Sequence, residues 1–152
     1  MRSLLKLLLC GAVLALAAGC ASGPKFTEIR SAIPPLAKDQ GRIYFYRSTN
    51  PFGSGIRPDV MLNGAKVGES IAGGFFFVDQ KPGPQEVNLS TEVERKVTFT
   101  LDAGQTRYVR MQVGLGVIIY RVFPELADPA EGAKEMQELS YTGKPLSGAA
   151  RM

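Results

Sequence analysis

Residues 41–123 alternate with a period of two, and no other feature of the sequence constrains the fold as much. Short runs rich in β-branched and aromatic residues are separated by turns that contain Gly, Pro or Asn. A period of two places successive side chains on opposite faces, as in a β-strand. Strands separated by turns roughly every 8–12 residues are typical of a sandwich or a small barrel. We therefore predict an all-β fold, a single small antiparallel β-sandwich of about seven to eight strands.

Recognisable turns bound the individual strands. Asn63-Gly64 is the strongest signal, because a type I′ hairpin turn requires positive φ at both central residues and Asn-Gly tolerates this best. Gly114-Leu115-Gly116 is predicted to be a turn or a bulge. In the run 106–113, alternation places the valines and Met111 on the face opposite Arg110. The predicted strands cover residues 42–47, 59–62, 65–68, 73–78, 86–91, 96–101, 106–113 and 117–123.

A single helix is predicted after the last strand. Asp128 is a suitable N-cap, Pro129 occupies the first helical position, and Glu131 completes a capping-box pattern. The helix is expected over residues 129–139, with its apolar side chains packed back on the sheet. Residues 141–152 are expected to form a loose tail.

The first twenty residues have the organisation of a secretory signal. Arg2 and Lys6 precede an uninterrupted apolar run over residues 7–18, and small residues then lead to Cys20. A run of this length is too short to span a bilayer of roughly 30 Å comfortably, since that requires about 20 apolar residues. We therefore predict a signal peptide and not a membrane-spanning helix.

The end of this segment resembles the lipobox of bacterial lipoproteins. The matching residues are Leu16-Ala17-Ala18-Gly19-Cys20, with Leu16 one place before the commonest position of Leu. The resemblance implies that residues 1–19 are removed, that the Cys20 thiol carries a diacylglyceryl group and that the new amino terminus is acylated. A plain signal peptide, cleaved after Ala18 or Gly19, is the alternative. The absence of Asp directly after Cys20 is similar to what directs lipoproteins to the outer membrane, where the domain would face the periplasm.

Residue content and charge exclude several classes of function. The chain has no His, which excludes catalytic systems that need an imidazole and zinc sites of the usual kind. Removing Arg2 and Lys6 from the 18 basic residues leaves 16 against 14 acidic residues. These charges are scattered, so the sequence lacks the footprint of nucleic-acid binding. Cys10 leaves with the signal peptide and Cys20 is used for the lipid, so no disulfide is expected within the domain.

The segment between the cysteine and the first strand differs in character from the domain. Residues 20–40 mix Gly, Pro and Ser with isolated apolar residues and show no sustained period. We expect a tether that carries the lipidated cysteine and lifts the domain off the membrane, with part of it docked on the domain. The sandwich and its terminal helix are expected to occupy residues 41–140.

Turn motifs within the domain resemble those of PEGA-type domains. The matching features are Leu62-Asn63-Gly64, Val67-Gly68, a Pro82-Gly83-Pro84 turn followed by Glu86-Val87, and Ala103-Gly104-Gln105 with Tyr108-Val109. Together with Ile43-Tyr44-Phe45-Tyr46-Arg47, they make residues 41–140 similar to an uncharacterised bacterial lipoprotein family built on that plan. The resemblance implies a β-sandwich in the cell envelope and supplies no catalytic residue.

The loop 48–58 is the first candidate for a partner-binding site. It is long for such a domain, is interrupted by Gly and Pro, and carries Phe52 and Ile56. An exposed aromatic residue in a loop can anchor a protein partner, as binding hot spots often do. Alternatively, Phe52 and Ile56 fold back as a lid over the open end of the sandwich.

Phe75-Phe76-Phe77 supplies the second candidate, because three consecutive residues of a strand cannot all point to one face. In one interpretation, Phe76 joins Tyr44 or Tyr46 in an aromatic platform for a glycan or a peptide. The alternative is that the helix over residues 129–139 covers this face and creates a second, minor core.

The sequence offers no convergent set of reactive groups. Glu92 and Glu94 lie near a turn, and we interpret them as surface carboxylates and not as a glycosidase pair. We therefore predict no enzyme activity, no metal and no cofactor. The expected function is that of a lipid-anchored cell-envelope protein that binds another envelope protein or a cell-wall component such as peptidoglycan. The alternatives are a structural outer-membrane subunit of a secretion-type assembly and a small-ligand or glycan-binding domain.

Overall fold

The computed structural model describes residues 20–90, 95–115 and 120–146. Over these ranges nine strands form two sheets with a shared apolar core, so the expected all-β sandwich is confirmed. The strands are β1 (Gly41–Tyr46), β2 (Asp59–Leu62), β3 (Ala65–Glu69), β4 (Gly74–Gln80), β5 (Gly83–Leu89), β6 (Lys96–Leu101), β7 (Thr106–Leu115), β8 (Tyr120–Ala127) and β9 (Ser140–Tyr141). The helices are α1 (Phe26–Ile29) and α2 (Pro129–Glu135), which is followed by a 3₁₀ turn, Met136–Glu138.

The first sheet is mixed rather than purely antiparallel. Its order is β8-β7-β1-β4-β9, and the second sheet has the order β3-β2-β5-β6. β1 lies at the centre of the first sheet, and all six of its residues are buried. It pairs antiparallel with β4 but parallel with β7, and β4 pairs parallel with β9. The sequence did not indicate this, because alternation within a strand carries no information about the direction of its neighbours.

The main core fills the space between the two sheets. The rings of Phe45 and Phe76, on neighbouring strands, are stacked with their centroids 5.0 Å apart. The predicted alternation in β7 is confirmed, since Val109 and Met111 are buried in this core. The buried members of the main core are Ile43, Phe45, Val60, Leu62, Phe76, Val87, Leu89, Leu101, Val109, Met111 and Val122.

A second core covers the outer face of the first sheet. The predicted N-cap of α2 is confirmed, because the Asp128 carboxylate accepts hydrogen bonds from the backbone N–H groups of Ala130 and Glu131. The predicted helix over residues 129–139 is interrupted after Glu135, and the 3₁₀ turn then brings Met136 into this core. Its buried members are Ile29, Tyr44, Tyr46, Phe75, Ala127, Met136 and Leu139.

Residues 20–40 contact the domain more extensively than we expect of a tether that is only partly docked. Cys20 forms a parallel bridge with Ala72, just before β4. α1 places the ring of Phe26 edge-on to Phe75, with centroids 5.5 Å apart. The segment docks because its apolar side chains complete the second core and leave water.

Some strand bounds differ from the predicted ones. Gly114 and Leu115 lie within β7 instead of in a turn, because they pair with β8, which runs from Tyr120 to Ala127. The predictions that concern residues 1–19, Glu92 and Glu94, residues 116–119 and residues 147–152 lie outside the described residues. Within the described ranges, no helix is both long and apolar enough to cross a membrane.

Candidate functional site

The strand directions define two ends of the sandwich that differ in chemistry. β1 finishes where β4 starts, and Ala72, just before β4, carries the bridge to Cys20. We call this the Cys20 end. The opposite end contains the turn between β2 and β3, and we call it the Asn63 end. Asn63 and Gly64 both have positive φ, 51° and 81°, as the predicted Asn-Gly turn requires.

A buried cation holds the loop 48–58 at the Cys20 end. Arg47 is 1% exposed. Its guanidinium donates to the carbonyl oxygens of Gly53 at 2.6 Å, Ile56 at 2.7 Å and Ser70 at 3.3 Å. Burial lowers the pKa of Arg47 below its ordinary value. No ion pair of Arg47 is found within the described ranges. Its guanidinium is therefore bound by backbone carbonyls, and these hydrogen bonds hold the loop in its path.

The two apolar residues of this loop have different surroundings. Ile56 is partly buried against the main core, as the lid alternative predicts. Phe52 is 58% exposed and lies on the ring of Tyr120, with centroids 5.4 Å apart. The loop is therefore closed on one side and presents an aromatic side chain on the other.

Leu115 adds a second exposed apolar side chain at this end, and sequence reasoning missed it. It is 83% exposed and pairs with Tyr120 across the β7–β8 ladder, so both side chains lie on one face. The loop and the hairpin are in contact, because a Cβ atom at Gly53 would lie 3.3 Å from Val113 and 3.4 Å from Tyr120. We call Phe52, Leu115 and Tyr120 the apolar patch.

A groove of ≈ 510 Å³ lies beside Cys20. Cys20 is exposed, and it forms no disulfide within the described residues. Arg57 and Ile71 line one side of this groove, and residues 141–143 line the other. The sulfur is therefore accessible at the surface, next to a basic side chain.

A second groove of ≈ 510 Å³ lies at the Asn63 end, across β5 and β6. Asn63 fixes its rim by donating to Gln85 at 2.8 Å and by accepting from the backbone N–H of Glu86 at 2.9 Å. Its lining combines amides, hydroxyls and one carboxylate with a proline and an aromatic ring: Asn63, Pro84, Gln85, Glu86, Thr98, Phe99 and Thr100. Hydrogen-bonding groups therefore lie beside an apolar ring in this groove.

The aromatic platform expected from the sequence does not form. Phe76 points into the main core and is 5% exposed, whereas Tyr44 and Tyr46 point to the other face of the sheet. α1 and α2 cover that face, so both tyrosines are buried in the second core. This is the alternative in which the terminal helix creates a minor core, and it leaves none of the three rings available to a glycan.

A charged network fastens α2 to the sheet. The hydroxyl of Tyr46 donates to Glu135 at 2.6 Å and accepts from Arg110 Nε at 3.1 Å. Arg110 also binds Glu135 with two nitrogens, at 2.9 and 3.0 Å, and pairs with Glu131 at 3.2 Å. Two-nitrogen pairing of this kind fixes orientation as well as distance. The network therefore locks the helix over Tyr46.

We expect Tyr46→Phe to reduce the alkaline sensitivity of the protein. Burial, together with the hydrogen bond to Glu135, raises the pKa of Tyr46. A raised folded-state pKa stabilises the fold below the ordinary tyrosine value of about 10, and this stabilisation is lost as the pH rises towards the folded-state value. The free energy of unfolding from urea titrations should therefore fall less steeply above about pH 10 in the variant. At pH 7 the lost hydrogen bonds should cost about 1 kcal/mol.

Tyr120→Phe is the matched control for this experiment, because it removes a hydroxyl from a tyrosine at the sandwich end. This control leaves the contacts of Tyr46 with Glu135 and Arg110 in place, so the docking of α2 should remain sensitive to alkaline pH. Equal slopes above about pH 10 for the wild type and Tyr46→Phe would contradict the coupling between this phenol and helix docking.

The described residues contain no group of three or more His, Cys, Asp or Glu side chains placed to hold a metal ion. The acidic side chains of the network around Arg110 serve ion pairs. The features that could bind a partner are therefore all at the surface: the apolar patch, the accessible sulfur of Cys20 and the groove at the Asn63 end.

Comparison with known proteins identifies the family. A family model described as a protein of unknown function (DUF2846) matches residues 37–122, which is more than half of the chain. The match covers Arg47, the loop 48–58 and Leu115, whereas Cys20 and α2 lie outside it. Neither the curated proteins nor the solved structures contain a match to the chain. The chain therefore belongs to the DUF2846 family of proteins of unknown function.

Proposed function

We propose that this protein is a lipid-anchored, non-enzymatic lipoprotein of the bacterial cell envelope, whose β-sandwich binds another envelope protein or a cell-wall component. One observation carries the proposal: Cys20, the last residue of the lipobox-like sequence, is exposed at one end of the domain. A lipid on its sulfur would not disturb either core. The absence of Asp directly after Cys20 favours the outer membrane, with the domain in the periplasm.

We also propose that the domain shares the architecture of PEGA-type domains, which is more specific than its membership of the DUF2846 family. It is supported by turn geometry, because Asn63-Gly64, Gly83 and Gly104 all have the positive φ that their places in the motif require. These turns join strands of the sandwich and say nothing about a ligand. They support a shared architecture.

The groove at the Asn63 end is the binding surface that suits this function. An anchor at Cys20 leaves the opposite end of the sandwich directed away from the membrane. Amides and hydroxyls beside an aromatic ring combine hydrogen-bonding specificity with apolar contact, as in many binding clefts. The lining of this groove favours a polar partner such as a peptide or a glycan strand of the cell wall.

The first test is lipid attachment in cells. Wild-type protein should incorporate labelled palmitate, and its mature form should have the mass of a chain that begins at an acylated Cys20. Cys20→Ser should lose the label completely, because a serine hydroxyl replaces the only sulfur in the lipobox-like sequence. Cys10→Ser removes the other cysteine of the chain and should retain full labelling.

The second part of the test concerns the partner. A photo-crosslinking residue placed at Thr98, which is exposed in the groove, should capture a protein or a peptidoglycan fragment in intact cells. The same residue placed at Ala130, exposed on α2, is the control. Unlabelled wild-type protein would overturn the anchor, and equal recovery from both positions would overturn the groove as the binding surface.

A further inference from the structure

We infer that the apolar patch is a membrane-contact surface, which seats the Cys20 end of the domain on the lipid bilayer. The inference rests on the proposed lipidation of Cys20. It adds an orientation to the proposed function, because it states which part of the protein touches the membrane and which part is left for a partner.

Exposure singles out this patch. Phe52 and Leu115 are the large apolar side chains that remain exposed within the described residues. Phe52 is held in place, since its ring contacts that of Tyr120 and the neighbouring Gly53 carbonyl is bound by Arg47. Exposed apolar residues grouped in this way mark a protein or membrane contact.

A short series of contacts connects the patch to Cys20. Cys20 bridges Ala72, and the backbone N–H of Gly73 donates to the carbonyl of Arg47 at 3.0 Å. Arg47 in turn binds the carbonyl of Gly53 at 2.6 Å, one residue from Phe52. The lipid attachment point and the aromatic side chain are therefore parts of one hydrogen-bonded structure.

The residues directly after Cys20 are bound to the domain and do not form a flexible tether between the domain and the lipid. Ala21 donates to the carbonyl of Ala72 at 2.9 Å, and Tyr141 donates to the carbonyl of Pro24 at 2.8 Å. A lipid on the Cys20 sulfur would thus begin at the surface of the sandwich. The end that carries it must lie close to the bilayer.

Leu115 lies beyond the end of β1 in the strand direction at this end. Tyr46, the last residue of β1, pairs with Arg110, and β7 continues to Leu115. This continuation amounts to roughly 16 Å of extended strand beyond the level of Tyr46. Leu115 is therefore placed to enter the interfacial region when the anchor is inserted.

The side chains around the patch suit a lipid surface. Aromatic and aliphatic residues are buried at the boundary between headgroups and acyl chains in interfacial proteins, and basic residues contact the headgroup phosphates. Arg57 is exposed in the groove beside Cys20, at the same end. A covalent lipid next to an apolar patch and a basic side chain favours a bilayer over a protein as the occupant.

Single-tryptophan fluorescence tests the inference, because the chain contains no tryptophan. Mature lipidated protein carrying Phe52→Trp, Leu115→Trp or Lys81→Trp is purified and reconstituted into phosphatidylethanolamine–phosphatidylglycerol vesicles with brominated acyl chains. Lys81 is the control, because it is exposed at the Asn63 end, between β4 and β5. We expect brominated lipid to quench roughly half of the emission at positions 52 and 115 and almost none at position 81.

The outcomes separate this inference from the proposed function. Vesicle-bound, lipidated protein whose tryptophans at positions 52 and 115 are as unquenched as that at 81 would overturn the membrane-contact surface and leave the anchor intact. Purified protein without a lipid mass would overturn the proposed function itself. In intact cells, a photo-crosslinking residue at position 52 that captures a protein, together with unquenched tryptophans at positions 52 and 115 in vesicles, would assign the patch to a protein partner and overturn the inference.

Discussion

Phe76→Ala is expected to lower the free energy of unfolding by about 3–5 kcal/mol, as large-to-small aromatic substitutions in cores do. The ring of Phe76 is stacked on Phe45 and lies in the middle of the main core. It also fits against Gly68, where a Cβ atom would lie only 2.6 Å from the ring. The two sheets are therefore closely packed around this ring, and alanine would leave a cavity between them. Urea unfolding followed by far-ultraviolet circular dichroism measures the loss.

Phe52→Ala is the matched control, because it makes the same chemical change at a residue that is 58% exposed. Its expected effect is within about 0.5 kcal/mol of the wild type. The comparison also tests whether Phe76 is buried in the core or exposed in an aromatic platform. If the two variants lost equal stability, Phe76 would have to lie at the surface, as the aromatic-platform interpretation requires.

Arg47→Met is the second substitution for which we expect a large effect, a loss of about 2–3 kcal/mol. The carbonyl groups of Gly53, Ile56 and Ser70 would lose their common donor at a site that is buried or partly buried. Buried acceptors left without a partner carry a desolvation cost of about 1–3 kcal/mol each. Removal of the buried charge offsets part of this cost, since burial also penalises the guanidinium.

The loop 48–58 should respond more than the rest of the protein. Its amide hydrogen exchange should accelerate in Arg47→Met, whereas the exchange of β1 and β4 should change only as far as global stability requires. Arg47→Lys keeps the charge but not the planar group that reaches several carbonyls, so its loss should be intermediate. Arg57→Met, at an exposed position of the same loop, is the control. Equal stability of Arg47→Met and Arg57→Met would show that the buried cation does not organise the loop.

The sequence predicted those features that depend on neighbouring residues. Alternation in β7 showed which side chains share a face, and Asn63-Gly64 identified a hairpin turn through its tolerance of positive φ. Asp128 was recognisable as an N-cap because its carboxylate bonds to residues two and three positions further on. Each of these signals depends only on residues that are close together in the sequence, so it can be recognised without knowledge of the fold.

The sequence on its own also determined the accessible chemistry of the protein: it has no imidazole, and it carries a cysteine at the end of a lipobox-like run. Only the tertiary structure decided what covers each surface. Tyr46 is buried because the segment around Met136, far along the chain, packs over it in the second core. Leu115 is exposed where β7 continues beyond the end of β1. Periodicity shows which side chains lie on one face of a strand. The burial of that face is decided by distant segments, whose packing depends on shape and charge across the whole fold.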